Sequence, residues 1–181
     1  MVSPPHESRD DGTHGSGRNA TGLGWRFESG EFERDDVQSL LAFHFEQMRS
    51  LSPPDACHVL SVDALRHPAI TFWSLRDGQR LLTIGALRQL ESDHGEIKSM
   101  RTAPAALGCG AGTAMLRHIV ADARRRGYRR LSLETGSTEA FQAALRLYAS
   151  HGFEPCGAFA GYRPSPFTRF LTLELEGRGA E

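Results

Sequence analysis

Hydrophobic and polar positions along this chain change period several times, and each change marks an element. Trp25-Arg26-Phe27-Glu28 alternates with a period of two, as a short strand does. From Asp36 the spacing lengthens. Val37, Leu40, Leu41, His44, Phe45 and Met48 fall at i, i+3, i+4, i+7, i+8 and i+11, one face of a helix. Asp35 or Asp36 is the expected N-cap, and Ser52-Pro53-Pro54 ends the helix because proline has no N–H to donate. The segment 63–66 predicts one further helical turn before Pro68. Residues 69–75, rich in Ile, Phe and Trp, predict a strand, and Asp77-Gly78 predicts a hairpin turn into a second strand over 80–90. A polar turn at 92–95 leads to a third strand over 96–102, stopped by Ala103-Pro104. After a glycine-rich loop comes a helix over 112–126, with Met115, Leu116, Ile119, Val120 and Ala123 in one stripe. Gly127 stands where a helix-terminating glycine belongs. A strand over 130–135 follows. Ser137 or Thr138 then caps a helix whose Phe141, Ala144, Leu145 and Tyr148 share a face as far as His151-Gly152. Strands near 153–159 and 167–175 complete the order β-α-(α)-β-β-β-α-β-α-β-β. This is a mixed α/β fold, a hairpin run before a strand–loop–helix–strand crossover, with no internal repeat.

Composition narrows the class. A chain of 181 residues suits one domain with a sizeable core. Residues 1–23, rich in Gly, Ser, Pro and charge, cannot bury enough to offset ordering entropy and are expected as a disordered tail. The domain is then expected over 24–176, with a short tail at 177–181. The 21 Lys+Arg against 22 Asp+Glu give a net charge of -1, which removes the bulk attraction of a nucleic-acid or anionic-membrane binder. No apolar run approaches the ~20 residues that span a bilayer, and the first residues lack the apolar stretch of a signal peptide. Cys57, Cys109 and Cys156 form an odd set without C-x-x-C spacing, which supports neither a disulfide framework nor a zinc knuckle. His6 and His14 are too scattered to suggest a metal site. A cytoplasmic protein with no metal, no nucleic acid and no membrane among its partners is the expectation.

The informative segment lies between the third strand and the helix that follows it. Glycines at 108, 110 and 112 let the backbone adopt positive φ and approach a ligand, and the helix beginning there directs unpaired N–H groups and its positive dipole end into the loop. That is an anion site suited to a pyrophosphate. A Walker loop requires Gly-Lys-Ser/Thr, but Gly112-Thr113 follows Ala111 with no lysine. A dinucleotide fingerprint requires a third glycine where Thr113 stands.

Pro104-x-x-Leu107-Gly108-x-Gly110-x-Gly112, after a strand and before a helix, resembles the acetyl-CoA loop of the GNAT-type N-acetyltransferases, whose pattern is Arg/Gln-Gly-x-Gly-x-Gly/Ala. Leu147-Tyr148-Ala-Ser-His-Gly152-Phe153 is similar to that family's Leu-Tyr-x-x-x-Gly-Phe signature, and the order of elements matches its fold across roughly 24–176. The resemblance implies a mixed, mostly antiparallel central sheet with flanking helices, the GNAT (acyl-CoA N-acyltransferase) fold. Two positions depart from the pattern. Leu107 replaces the Arg/Gln that often contacts CoA phosphates, and Phe141 stands where many members have Asn.

The resemblance also implies site residues. Met100, Arg101 and Thr102, on the strand before the loop, would flank the cofactor arm, with backbone pairing from Met100 and Thr102. Leu107, Gly108, Cys109, Gly110, Ala111, Gly112 and Thr113 would surround the phosphates. Direct transfer needs no protein nucleophile, only orientation and proton management. Tyr148 occupies the position of the family's acid, or is a core tyrosine. Glu96 is the first candidate base, with a solvated hairpin-end glutamate as its alternative; Glu134 is the second, or a salt-bridge partner of Lys98 or an arginine. His44 lies on the helix that borders the acceptor pocket in the family, and is either an acceptor contact or a core histidine. Cys109 takes the family's variable position. The cluster Arg124-Arg125-Arg126 with Arg129-Arg130 reads as a solvated helix end. The expected activity is acetyl transfer from acetyl-CoA to a primary amine, of a small molecule before a protein N-terminus or lysine, with a catalytically idle acyl-CoA-binding regulator as the non-enzymatic alternative. Homodimerisation is left open.

Overall fold

The computed structural model describes residues 24–53 and 57–175. The tails expected at 1–23 and 177–181 lie outside them. Seven strands, β1 (Trp25–Ser29), β2 (Ile70–Asp77), β3 (Arg80–Gln89), β4 (His94–Thr102), β5 (Arg130–Gly136), β6 (Glu154–Pro155) and β7 (Thr168–Glu174), form one sheet in the order β1-β2-β3-β4-β5-β7-β6. Only β4 and β5 run parallel. The crossover between them is α3 (Ala111–Arg125), and α1 (Asp35–Leu51), α2 (Val62–Leu65) and α4 (Gln142–Ala149) complete the flanking layers.

Strand alternation distributes the core between two faces. Trp73, Leu75, Leu82 and Ile97 point into a cluster with Met115, Leu116 and Ile119 of α3 and Tyr148 of α4. Phe72, Leu81, Ile84 and Ala86 point the other way, onto Val37, Leu40 and Leu41 of α1 and Leu65 of α2. The helical stripes at 37–48 and 112–126 are therefore the buried faces of α1 and α3. None of the described helices is long and apolar enough to cross a membrane.

Several expected boundaries move, each for a physical reason. Neither aspartate caps α1. Arg34 occupies the N-cap without a side-chain bond, and Asp36 instead accepts from both terminal nitrogens of the buried Arg76 guanidinium, at 2.7 and 3.0 Å. A guanidinium out of water needs its counter-charges more than a helix end needs a cap. The turn expected over 92–95 is shorter, because β4 begins at His94. Gly95 fits there since a Cβ would meet the Tyr128 ring and Leu87 at 2.8 Å. The helix after β5 opens with a 3-10 turn, Glu139–Phe141, before α4. The strand expected over 153–159 contracts to Glu154–Pro155. Its apolar residue Phe159 packs from a loop, within 5.3 to 5.9 Å of the rings of His94, Tyr162 and Phe170. The apolar residue there serves loop packing, not a ladder.

Two features of β4 create the site. It pairs with β5 only over His94–Glu96 against Arg130–Ser132, and beyond Glu96 the two parallel strands part. On its other side β4 carries a bulge opposite Gly85, where Ser99 takes φ 51°. A Cβ on Gly85 would stand 2.9 Å from both Met100 and Met115, so only glycine lets α3 close on the bulged strand.

Candidate active site

The parting of β4 from β5 leaves the β4 backbone beyond Glu96 without a partner on the β5 side. At the end of β4 the chain makes a 3-10 turn, Pro104–Ala106, and enters the glycine loop. Gly108 and Gly110 have φ 77° and 86°, and the space where their Cβ atoms would stand is open. Gly110 is the N-cap of α3 and no side chain caps it, so the first-turn N–H groups and the positive end of the dipole face the loop. A Cβ on Gly112 would come within 3.3 Å of Thr102 Oγ1, which seats the loop on the end of β4. Leu107 is 70% exposed and makes no polar contribution. The Cys109 thiol turns back to donate to the Ala106 carbonyl at 2.9 Å. Backbone donors, open glycines and an unpaired strand edge suit the pyrophosphate and amide-rich arm of a CoA thioester.

Where the strands part, a cavity of about 420 Å³ opens between α1, β4, β5 and the start of α4. His44 and Met48 line it from α1, Met100 and Arg101 from β4, Glu134 from β5, and Phe141 and Tyr148 from the α4 segment. Tyr148 packs edge-on against Phe153 with ring centres 5.7 Å apart. Burial raises its pKa, so the hydroxyl keeps its proton at neutral pH. Glu134 is half-buried, and burial, with the neighbouring Glu96 charge, raises its pKa to about 7 against the pull of Lys98. It makes no ion pair among the described residues.

Glu96 occupies a different place from Glu134. It is fully buried and does not line the cavity. Its Oε1 accepts from the Tyr162 hydroxyl at 2.5 Å and forms an ion pair with Lys98 Nζ at 3.2 Å, and Arg88 lies 3.6 Å from Oε2. Lys98 also donates to the Tyr162 oxygen at 2.8 Å and to the His58 carbonyl at 3.3 Å. Lysine 98 thus pairs with Glu96 and not with Glu134. His44 is 8% exposed, its Nδ1 has no partner among the described residues, and burial followed by the Arg101 and Lys98 charges lowers its pKa to about 4. The Arg101 guanidinium turns to α1, where it donates to Gln47 and lies 5.0 Å from the Phe43 ring centre.

The residues expected from sequence therefore fall into three groups. His44, Met100, Arg101, Glu134 and Tyr148 share the cavity, 107–113 form the loop with Thr102 against it at the end of β4, and Glu96 sits behind the cavity wall. Sequence reasoning missed Tyr162 and the role of Lys98. Lys98 had a signal, since it shares a strand face with Glu96 two residues away. Tyr162 had none, because it lies in an irregular loop that no period marks.

A family model described as "Acetyltransferase (GNAT) family" matches residues 34–153. The uncharacterized N-acetyltransferase YedL of Escherichia coli (strain K12) is 50% identical over 139 residues, 77% of this chain and 87% of that protein. A solved structure from Klebsiella pneumoniae subsp. pneumoniae, named as an acyl-CoA N-acyltransferase, superposes with a TM-score of 0.70 at 25% identity, covering 84% of this chain and 98% of that one. A GNAT family acetyltransferase from Elizabethkingia anophelis with acetyl-CoA bound has the same fold, with a TM-score of 0.63 at 16% identity over 84% of this chain and 99% of that one.

Proposed function

This chain belongs to the GNAT family of acetyltransferases, and from that premise we propose that it moves the acetyl group of acetyl-CoA directly to the primary amine of a small molecule. The observation that carries this reading is the parting of β4 from β5 beside an uncapped α3 N-terminus. One feature offers backbone groups to the amide-rich arm and the other offers N–H donors to the phosphates, and the cavity between them lies where the thioester would end. The loss of Arg/Gln at Leu107 leaves the backbone as the phosphate ligand, which supports binding that is weaker than the family pattern and not abolished.

The remaining work is proton transfer. Glu134, with a pKa of about 7, is the base we assign, because it lines the cavity and is substantially ionised at neutral pH. Tyr148 keeps its proton and can supply it to the departing thiolate. Glu96 does not touch the cavity. We assign it a positioning role, fixing Lys98 and Tyr162 beneath it. Phe141 and Phe167, in edge contact with ring centres 5.6 Å apart, wall the cavity beside Gly136 and exclude water. The size of the cavity favours a small acceptor over a protein segment.

Calorimetric titration with acetyl-CoA, with ATP as the control ligand, tests the donor. Saturable binding of acetyl-CoA alone, followed by amine-dependent release of thiol, is expected. Saturable binding without turnover of any amine would point instead to a non-catalytic acyl-CoA sensor, and no binding at millimolar concentration would remove the enzyme reading.

A further inference from the structure

Arg101 presents a charge that the described protein does not neutralise. Arg101 lines the cavity, its guanidinium held beside α1, and no carboxylate forms an ion pair with it among the described residues. Its two partners are neutral. The Gln47 side-chain oxygen accepts from one terminal nitrogen, and the Phe43 ring lies 5.0 Å away. They hold the fork in place and leave its charge intact. The Nε–H is buried and has no acceptor among the described residues. Arg101 is half-buried, and even partial desolvation of a cation without a counter-ion is costly, while buried polar groups are otherwise almost always satisfied. The other cation on this wall is answered, since Lys98 has Glu96 at 3.2 Å. His44 adds no positive charge at neutral pH.

The cavity is thus polarised: an unanswered guanidinium on the α1 side, and the Glu134 carboxylate on β5. An acceptor that carries an amine and a carboxylate matches both. The CoA phosphates are a poorer match for Arg101. Their loop leads into α3, which packs on one face of the sheet, whereas Arg101 is held by α1 on the other. A single planar fork with neutral supports suits a carboxylate, which it can meet with two parallel hydrogen bonds.

We propose that the acceptor is a carboxylate-bearing amine, an amino acid or close analogue, and that Arg101 binds its carboxylate. This rests on the acetyl-transfer reading above and names the substrate class of that same site.

The test compares the common amino acids with their carboxamides, using the full chain. Binding is read by thermal shift with and without acetyl-CoA, and turnover is read by thiol release. Free acids should outperform their amides by about 10- to 100-fold in acceptor affinity and in kcat/KM, the range of a charge-assisted hydrogen bond. Arg101→Gln should erase that preference through the acceptor KM and leave the acetyl-CoA KM unchanged. Arg101→Lys, which keeps the charge and loses the fork, should retain part of it. Equal binding of acids and amides by wild-type protein that binds acetyl-CoA would overturn the proposal while leaving acetyl transfer standing. An Arg101→Gln defect confined to the acetyl-CoA KM would also overturn it, assigning the residue to the donor. Failure of acetyl-CoA to bind would sink the transfer reading instead, and acid-over-amide binding without donor would still judge Arg101.

Discussion

Tyr148 and Glu134, the acid and base proposed above, face one cavity, and burial raises the pKa of both. The phenol, protonated at neutral pH even at its ordinary pKa of 10.0, is held more firmly in that form. For the carboxyl, burial raises the pKa from 4.5 to about 7, a better match to an amine near neutral pH. Tyr148→Phe should lower kcat by about 10²-fold with acetyl-CoA affinity nearly unchanged, as calorimetry and initial rates would show. Wild-type rates would return the residue to the core. A base must be ionised, so kcat/KM should rise as pH climbs through about 7, and Glu134→Gln should remove that limb along with about 10²-fold of rate. The same shift bears on stability with a definite sign. The folded pKa lies above the unfolded one, so the contribution of Glu134 is complete below 4.5 and is lost as pH rises through about 7. Thermal melts of Glu134→Gln should therefore lack part of the decline that wild type shows across that window. Both residues could be named from sequence, but their ranking could not. Glu96 and Glu134 are each strand glutamates, and only the parting of β4 from β5 beyond Glu96 decides which one meets the cavity.

At the scale of elements, periodicity recovered what packing dictates. The stripes of α1 and α3 are consequences of one buried face each, and the apolar runs of β2 and β3 of burial on both faces, so they were visible in the chain. What periodicity could not show was structure held by particular contacts. The bulge at Ser99 depends on Gly85 yielding its side-chain volume to Met100 and Met115, and the Phe159–Tyr162 loop depends on ring contacts with Phe170. The glycine loop was legible because φ values of 77° and 86° require the residue type itself. Gly110→Trp should place an indole in the open space before the α3 N-terminus and abolish acetyl-CoA binding, with the melting temperature falling only by the modest cost of a non-glycine residue at positive φ. Unchanged acetyl-CoA affinity in a folded variant would remove the phosphate assignment from this loop.

For the whole molecule, the proposed acceptor side depends on how α1 is held to the sheet, since α1 supplies His44, Met48 and the support of Arg101. Apolar contact with Phe72 and Ile84 is part of that hold. The directional part is Arg76 on β2, only 2% exposed, which reaches Asp36 on α1 at 2.7 Å and Glu31 before it at 2.6 Å. Arg76 and the neighbouring Arg34 lower the Asp36 pKa from 3.8 to about 2, with Arg76 the main cause. The depressed value means that the pair contributes stability above 3.8, lost as pH falls towards about 2. Asp36 is partly open to solvent, so Asp36→Asn should cost about 1–2 kcal/mol at neutral pH, below the usual loss for breaking a fully buried pair. Below pH 2 the variant and wild type should converge. Because the tether sits at the first turn of α1 and the proposed acceptor wall lies further along that helix, the variant should also raise the acceptor KM while leaving the acetyl-CoA KM, assigned to β4 and α3, where it was. Parallel shifts in both KM values would mean that α1 and the donor site move as one body, and that the ion pair braces the whole fold and not the acceptor wall alone.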